Sequence, residues 1–338
     1  MEGKNIVFFE VDASEEEFFR TRLESKAKLT FYPHRLTIDE VEDAVSADYL
    51  VSFIYSDLSH DILEKIPHLK GIATMSVGVD HIDLKETGHR EILVSNVPAY
   101  GPNTVAEHTV ALLLALSRNI VPSVERTRAG EYEYAGLTGW DLAGKTLGIV
   151  GTGKIGTVVA RIAQGLGMRI IGYDPHPNTA LAEKTGLEYM SFPQLLHTAD
   201  VITLHIPLFD ETKHMLGQKE FEQMRKGTVL LNTARGGLVD PQALVEALNN
   251  GTISQAGIDV LEDEGLLKEE KQFFSKYFDR THYQTALADH ALMRDPRVLV
   301  TPHNAFNSRE AIKNILQTTV ENLDGMMHND PINLVEKH

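Results

Sequence analysis

Apolar and polar positions along this chain switch between two rhythms, and the switch recurs from one end to the other. In the first hundred residues, apolar runs at 6–11, 29–32, 49–55, 71–75 and 92–97 have the length and β-branched or aromatic content of buried strands. Between them, segments such as 15–23 and 38–45 have helical spacing and predict helices. Strand and helix in turn predict a parallel sheet with helices on both faces. A long helix follows. Pro102 and Asn103 open it, Thr104 and Glu107 have capping-box spacing, and the apolar run 110–116 makes it buried on most sides. Residues 121–144 carry a poorer pattern and read as a connection.

A second series begins at Lys145. Residues 146–150 form a strand, and Ile155, Val158, Val159, Ile162, Ala163 and Leu166 line one helix face. Further strands are expected at 169–173, 201–205, 228–232, 255–260 and 298–301. Asp240 and Pro241 supply an N-cap and an N1 proline for a helix that Asn250 and Gly251 end. A last amphipathic stretch, 308–326, has no strand after it and could pack back on the first series. The two halves share alternation but no repeat of fixed period.

Composition narrows the choices. With 338 residues, the chain is long enough for two domains. Apolar residues at 42% and charged residues at 24% place it among globular proteins. There is no cysteine, which excludes disulfides, thiolate metal sites and cysteine nucleophiles. No pattern of clustered metal ligands is visible, and no metal is expected. A net charge of −16 repels phosphate backbones and anionic lipid, which speaks against nucleic-acid and membrane partners. It also means that an anionic substrate needs a local cation. The N-terminal residues turn acidic too early for a signal peptide, and the run 110–116 is too short to span a membrane, so a cytoplasmic location is expected.

The strand at 146–150 runs into Gly151-Thr152-Gly153-Lys154-Ile155-Gly156, a G-x-G-x-x-G with a strand before it and an amphipathic helix after it. Gly151 permits the tight turn, Gly153 lets backbone approach a pyrophosphate, and Gly156 lets helix and strand pack closely. The helix N-terminus presents free N–H groups to the phosphates. Asp174 lies 18 residues beyond Gly156, at the end of the next strand. A carboxylate there can accept from the adenosine ribose hydroxyls and repel a 2′-phosphate, and no Lys or Arg follows in Pro175-His176-Pro177, so NAD is favoured over NADP. The plainer alternative for Asp174 is a turn or helix cap.

Ligands of open parallel sheets sit beyond the carboxyl ends of the strands. Three titratable groups fall there. Arg235, after the strand at 228–232, can grip a carboxylate through two parallel hydrogen bonds, or can be one more surface ion pair among 48 acidic residues. Glu264 follows the strand at 255–260, with Glu262 competing for the same role. His303 follows the strand at 298–301, and histidine is the natural proton carrier near neutral pH. Together they suit hydride transfer at C2 of a 2-hydroxy acid. His303 would exchange the proton on the C2 oxygen, the carboxylate would hold the imidazole tautomer, and Arg235 would bind the substrate carboxylate and polarise the carbonyl.

With these motifs in order, the chain resembles the D-isomer-specific 2-hydroxyacid dehydrogenases, and within them the D-lactate dehydrogenase branch. The resemblance rests on SVGVDHIDL (76–84), NVPAYGPNTVAEHTVALLLAL (96–116), GKTLGIVGTGKIG (144–156), YDPHP (173–177), LHIPLFDETKHML (204–216), LLNTARGGLVD (230–240), GIDVLEDE (257–264) and TPHNA (301–305). It implies an α/β protein of two Rossmann-like domains. A doubly wound NAD-binding domain would span 102–304, and a flavodoxin-like substrate domain would combine 1–101 with 305–338, with the active-site cleft between them. It implies Arg235, Glu264 and His303 as the catalytic set, which selects Glu264 over Glu262. It places the Val77 and Gly78 amides on the substrate carboxylate and Tyr100 nearby. Lys154, Ile155, Ile206, Pro207, Thr212, Thr233, Ala234 and Asp259 match NAD-contacting positions, Asp259 facing the nicotinamide carboxamide. A homodimer through the NAD domain is also implied.

The resemblance makes pyruvate and D-lactate the expected pair. Thirty-eight residues separate Glu264 from His303, an insertion similar to that of the D-lactate branch, and its Lys268-Glu269-Glu270-Lys271 run reads as an exposed helix face. One position departs from that branch: Asn307 follows Phe306 where a second aromatic is usual, which leaves hydroxypyruvate, glyoxylate or a longer 2-keto acid open. A different class of function, an NAD-sensing protein like the family's transcriptional corepressors, is opposed by the long insertion and the lack of an interaction tail.

Overall fold

The computed structural model describes residues 3–262, 264 and 280–335, so the Lys268–Lys271 run lies outside the described residues. The chain folds into two compact units: Met1–Gly101 with Asn307–His338, and Pro102–Phe306. The last crossing therefore falls between Phe306 and Asn307. Among the described residues, no helix is long and apolar enough to cross a membrane.

The first unit is a five-stranded parallel sheet of β1 (Asn5–Phe8), β2 (Lys28–Phe31), β3 (Tyr49–Ser52), β4 (Gly71–Thr74) and β5 (Leu93–Ser95), in the order 2-1-3-4-5. This is the flavodoxin-like order. Its helices are α1 (Ala13–Leu23), α2 (His60–Leu63), α3 (Leu84–His89) and the C-terminal helix Arg309–Met327. Asp12 starts α1 as a capping box, accepting from the Ser14 and Glu15 amides while Glu15 accepts from the Asp12 amide. The C-terminal helix packs on this sheet over Gly71, where a Cβ would stand 2.6 Å from Met326 Sδ. The following residues pair with β5 through an antiparallel bridge between Ser95 and Leu334.

Strands β1 and β3 each end three residues before their apolar runs, for one reason. Glu10 has φ +62 and turns the chain after β1. Its carboxylate then accepts from the amides of Phe53 (3.1 Å), Tyr55 (3.0 Å) and Ser56 (2.9 Å) and from the Ser56 hydroxyl (2.6 Å). Those N–H groups cap a loop instead of extending β3. The helix expected at 38–45 is only a 3₁₀ turn, Val41–Asp43. Asp39, Glu40, Glu42 and Asp43 crowd the segment, only Val41 and Ala44 find the core, and Thr37 bonds Glu40 and the Asp39 amide locally.

The second unit holds α4 (Pro102–Ser117), α5 (Ile120–Arg128), β6 (Thr146–Val150), α6 (Lys154–Gly165), β7 (Arg169–Tyr173), α7 (Thr179–Thr185), β8 (Glu188–Tyr189), α8 (Phe192–Thr198), β9 (Val201–Leu204), α9 (Gln218–Gln223), β10 (Thr228–Asn232), α10 (Pro241–Asn249), β11 (Ile253–Ile258), α11 (Arg280–Arg294) and β12 (Val298–Val300). All seven strands are parallel, in the order 12-11-10-9-6-7-8. The order in which strands are added reverses between β6 and β9, which is where a doubly wound sheet opens a crevice. Helix α5 stands where the sequence read as connection. None of its residues is buried, so no apolar stripe marked it. Helix α4 lies close on β11 because Gly257 has no side chain; a Cβ there would meet Leu112 Cβ at 3.1 Å and Leu231 Cδ2 at 2.9 Å.

His205 ends the β9 segment, its amide on the Val150 carbonyl and its Nε2 at 2.9 Å from Thr203 Oγ1. Part of the residue stays open, but the ring is packed among protein atoms, and that desolvation pushes its pKa down to about 3. The folded chain thus holds fewer protons there than the unfolded chain. The stability this confers is complete above the ordinary histidine value of about 6.5 and is lost as pH falls from there toward 3. His205→Gln is expected to flatten the decline of Tm between about pH 7 and pH 4. Parallel Tm profiles for the two proteins would show that the ring is not held neutral by the fold.

Candidate active site

The glycine turn lies at the reversal point of the second sheet. Gly151 has φ +91, and a Cβ on it would stand 2.5 Å from the His205 carbonyl oxygen. A Cβ on Gly156 would stand 2.1 Å from the Gly151 carbonyl oxygen, so helix α6 can pack on β6 only with glycine there. Gly153 differs: a Cβ on it would meet nothing within 4 Å. It is also the N-cap of α6, with no side-chain cap, while Lys154 is exposed and Ile155 half-buried behind it. Uncapped helix N–H groups beside open space fit a pyrophosphate.

Asp174, just beyond β7, accepts from the Thr152 amide (2.7 Å) and hydroxyl (2.9 Å) and from the His176 amide (2.8 Å). Burial pushes its pKa up, but these donors outweigh it and hold the carboxyl below the ordinary range. It therefore does cap the turn, and it does so beside the glycines. Thr152 also meets the Tyr189 hydroxyl at 2.8 Å, a contact with no sequence signal because Tyr189 lies on a two-residue strand.

The other strand-end segments lie on the same edge. After β9, Ile206 is half-buried, Pro207 exposed, and Thr212 donates to the Pro207 carbonyl at 2.9 Å. After β10, Thr233 is buried, and the Arg235 guanidinium donates to the Ala234 carbonyl at 2.8 Å. Gly236 then packs on the next segment so closely that a Cβ would stand 2.1 Å from the Leu261 carbonyl carbon. Strands β10, β11 and β12 are sheet neighbours, so Arg235, Glu264 and His303 follow three adjacent strand ends.

Glu264 and His303 touch. His303 Nδ1 lies 2.7 Å from Glu264 Oε2, and Glu264 Oε1 accepts from the Leu261 amide at 3.0 Å. A carboxylate only accepts, so Nδ1 carries the proton of this bond and Nε2 is left for exchange. Glu262, the sequence competitor, is engaged elsewhere, with His214 Nε2 at 2.9 Å and Lys213 Nζ at 3.6 Å. His303 has φ +50, outside the ordinary range for a side-chain-bearing residue.

Asp259 is 1% exposed and holds that backbone. Its Oδ1 accepts from the Thr301 hydroxyl (2.5 Å) and the Asn304 amide (3.0 Å), and its Oδ2 from the Ala305 amide (2.8 Å). His108 of α4 adds Nε2 at 3.1 Å from Thr301 Oγ1 and 3.4 Å from Asp259 Oδ1. Burial pushes the Asp259 pKa up, yet His108, Thr301 and the two amides bring it below the ordinary value. Sequence reading missed His108, although its place among the buried positions 105, 106, 109 and 110 of α4 was a signal.

Val77, Gly78 and Tyr100 belong to the first unit. Val77 and Gly78 follow β4, where Ser76 donates to the Gly78 carbonyl at 2.6 Å and Asn96 to the Val77 carbonyl at 2.7 Å. With both carbonyls tied back, the Val77 and Gly78 amides donate to no acceptor among the described residues. The Tyr100 carbonyl accepts from Asn314 of the C-terminal helix at 3.0 Å.

Residues 110–305 match the model of the D-isomer specific 2-hydroxyacid dehydrogenase NAD binding domain. The chain is 38% identical to a D-lactate dehydrogenase of Escherichia coli over 302 residues, covering 88% of this chain and 89% of the relative. It is 35% identical to a glyoxylate reductase of Korarchaeum cryptofilum, covering 90% and 86%. Its structure is similar to that of a D-lactate dehydrogenase from Aquifex aeolicus complexed with NAD and lactic acid, with a TM-score of 0.88, 33% identity and 96% of each chain covered. Glycine turn, the aspartate that caps it and the strand-end histidine–glutamate pair thus coincide with relatedness along nearly the whole chain, which belongs to the NAD-dependent D-isomer-specific 2-hydroxyacid dehydrogenases.

Proposed function

We propose that the chain interconverts pyruvate and D-lactate, with His303 as general acid and base, Glu264 as its tuning partner and Arg235 as the carboxylate anchor. The observation that carries this reading is the 2.7 Å contact of His303 with Glu264 on the sheet edge that also bears the glycine turn. The D-lactate dehydrogenase of Escherichia coli and the lactate-bound structure from Aquifex aeolicus support the choice of acid.

Bound at that edge, the nicotinamide cofactor would supply the redox chemistry, as donor or acceptor of the hydride exchanged with C2 of the acid. The turn of Gly151, Gly153 and Gly156, with Lys154 and Ile155, would hold the pyrophosphate, and Asp174 the ribose hydroxyls. Ile206, Pro207, Thr212, Thr233, Ala234 and Asp259 would line the rest of the cofactor site. As C2 is reduced, the carbonyl oxygen gains negative charge, and His303 Nε2 delivers the proton it needs. The ring ends neutral with Nδ1–H still on Glu264; in the oxidative direction the same nitrogen takes the hydroxyl proton. The Glu264 carboxylate accepts from Nδ1–H and so holds the ring tautomer and orientation. Arg235 fixes the substrate carboxylate with a planar fork. The Val77 and Gly78 amides would be further donors to the substrate carboxylate, and Tyr100 would be a further substrate-binding residue.

Asn307 favours one further reading, in which a more polar 2-keto acid, hydroxypyruvate or glyoxylate, is preferred. The glyoxylate reductase of Korarchaeum cryptofilum lends it support. We also assign the chain to the cytoplasm, in keeping with its lack of cysteine, and to a homodimer built on the second unit. Helix α5 exposes Ile120, Val121 and Val124, with Leu114 of α4 also exposed, more apolar surface than a solvated helix needs.

Three outcomes are expected. With NADH and a panel of pyruvate, hydroxypyruvate, glyoxylate and longer 2-keto acids, the chain should consume NADH with the highest kcat/KM on pyruvate, and His303→Ala should cut kcat on the order of 10²–10⁴-fold while NADH still binds. Near-normal turnover in that variant would end the assignment of His303. Arg235→Lys should raise KM for the keto acid about tenfold or more, because a point charge cannot replace the fork; an unchanged KM would remove Arg235 from the carboxylate. Val124→Asp should halve the mass seen by light scattering, and a wild-type chain that is already monomeric would refute the dimer.

A further inference from the structure

Two neighbouring residues of α4 reach the three strand-end segments that carry Arg235, Glu264 and His303. Thr109 Oγ1 lies 2.8 Å from Thr233 Oγ1, two residues before Arg235, and donates to the Val105 carbonyl at 2.8 Å. The Thr233 hydroxyl is therefore the donor of the pair. His108 reaches the other two segments, at Thr301 and Asp259. Thr301 donates its hydroxyl to Asp259, so its oxygen is free to accept, and the proton of this contact sits on His108 Nε2. The resulting chain runs from His108 to Thr301 to Asp259 and ends on the Asn304 and Ala305 amides. It encloses His303 on both sides.

That enclosure matters because His303 is held in the left-handed region, at φ +50, its amide on the Thr301 carbonyl at 2.9 Å. A residue with a side chain leaves that region unless neighbouring bonds prevent it. If it left, the imidazole would swing off Glu264. We propose that His108 is a positioning residue for the reaction, acting through Thr301 and Asp259 to hold His303 against Glu264. This rests on the assignment of His303 as proton carrier. His108 touches no reacting atom; it supplies the donor that completes the shell of a buried carboxylate, and that carboxylate holds the turn.

The test compares His108→Ala, His108→Gln and His108→Asn with the unsubstituted enzyme, using pyruvate and NADH for turnover, quenching of protein fluorescence for NADH affinity and thermal melting for fold. A glutamine amide N–H can stand near the position of Nε2–H, whereas asparagine falls short of it. Positioning predicts that His108→Ala and His108→Asn lose about 10- to 100-fold in kcat, on the scale of a displaced catalytic group. KM for pyruvate and NADH affinity should stay within about twofold, and His108→Gln should recover most of the loss. The proposal is overturned if His108→Ala keeps its kcat, or if all three variants lose activity only in proportion to a fall in Tm without recovery in His108→Gln. Wild-type enzyme inert on every 2-keto acid, or an active His303→Ala, would instead overturn the underlying reading of His303, a result separable from an active wild type with an unaffected His108→Ala.

Discussion

Taking the Asp259 carboxylate out of water is costly by several kcal/mol unless donors replace the water. Here the replacements are the hydroxyl of Thr301, the amides of Asn304 and Ala305 and the imidazole of His108. None of them lies on the strand that carries Asp259. The carboxyl sits below its ordinary pKa although burial pushes it up, so the donors more than offset the desolvation. The consequence is mechanical. The turn around His303 cannot relax without uncovering a buried charge, and this opposes the relaxation of a φ that costs about 1–3 kcal/mol.

The rest of the strand edge is arranged by close backbone approach. Gly257 lets α4 lie on β11, which is what brings His108 to Asp259. Gly236 lets the segment after β10 press on Leu261, whose amide donates to Glu264. Gly151 and Gly156 let α6 start directly against β6 and the His205 carbonyl. At Gly151, Gly156 and Gly236 a methyl group would force backbone apart, and at Gly257 it would press on the Leu112 and Leu231 side chains; the charged groups placed by these contacts would move with them. Packing here is the cause of the electrostatic geometry, not its background.

Much of the chain could be read from sequence where the determinant is local. The glycine spacing, the apolar face of α6 and the Asp240–Pro241 start of α10 each depend on neighbours within one turn of chain, and each stands as an element or turn of the expected kind. Reading failed where apolar periodicity was absent or misleading. Helix α5 buries nothing and left no stripe, and the segment at 38–45 had the spacing of a helix but too many carboxylates and a local hydroxyl competitor to form one. The early ends of β1 and β3 depended on Glu10, whose partners lie more than forty residues away.

Sequence by itself determined the alternation that makes both sheets parallel, the glycine turn, and the placing of Arg235, Glu264 and His303 just past strand ends. Those follow from side-chain period and backbone sterics, which act over a few residues. Residue spacing left Glu262 open and the family resemblance selected Glu264; tertiary structure alone decided that Glu262 turns to His214 instead, that Asp174 also caps the glycine turn, and that His108 completes the shell of Asp259. Hydrogen bonds of 2.5–3.5 Å between distant positions depend on strand order and on how closely a helix approaches a sheet, and no short-range pattern encodes either.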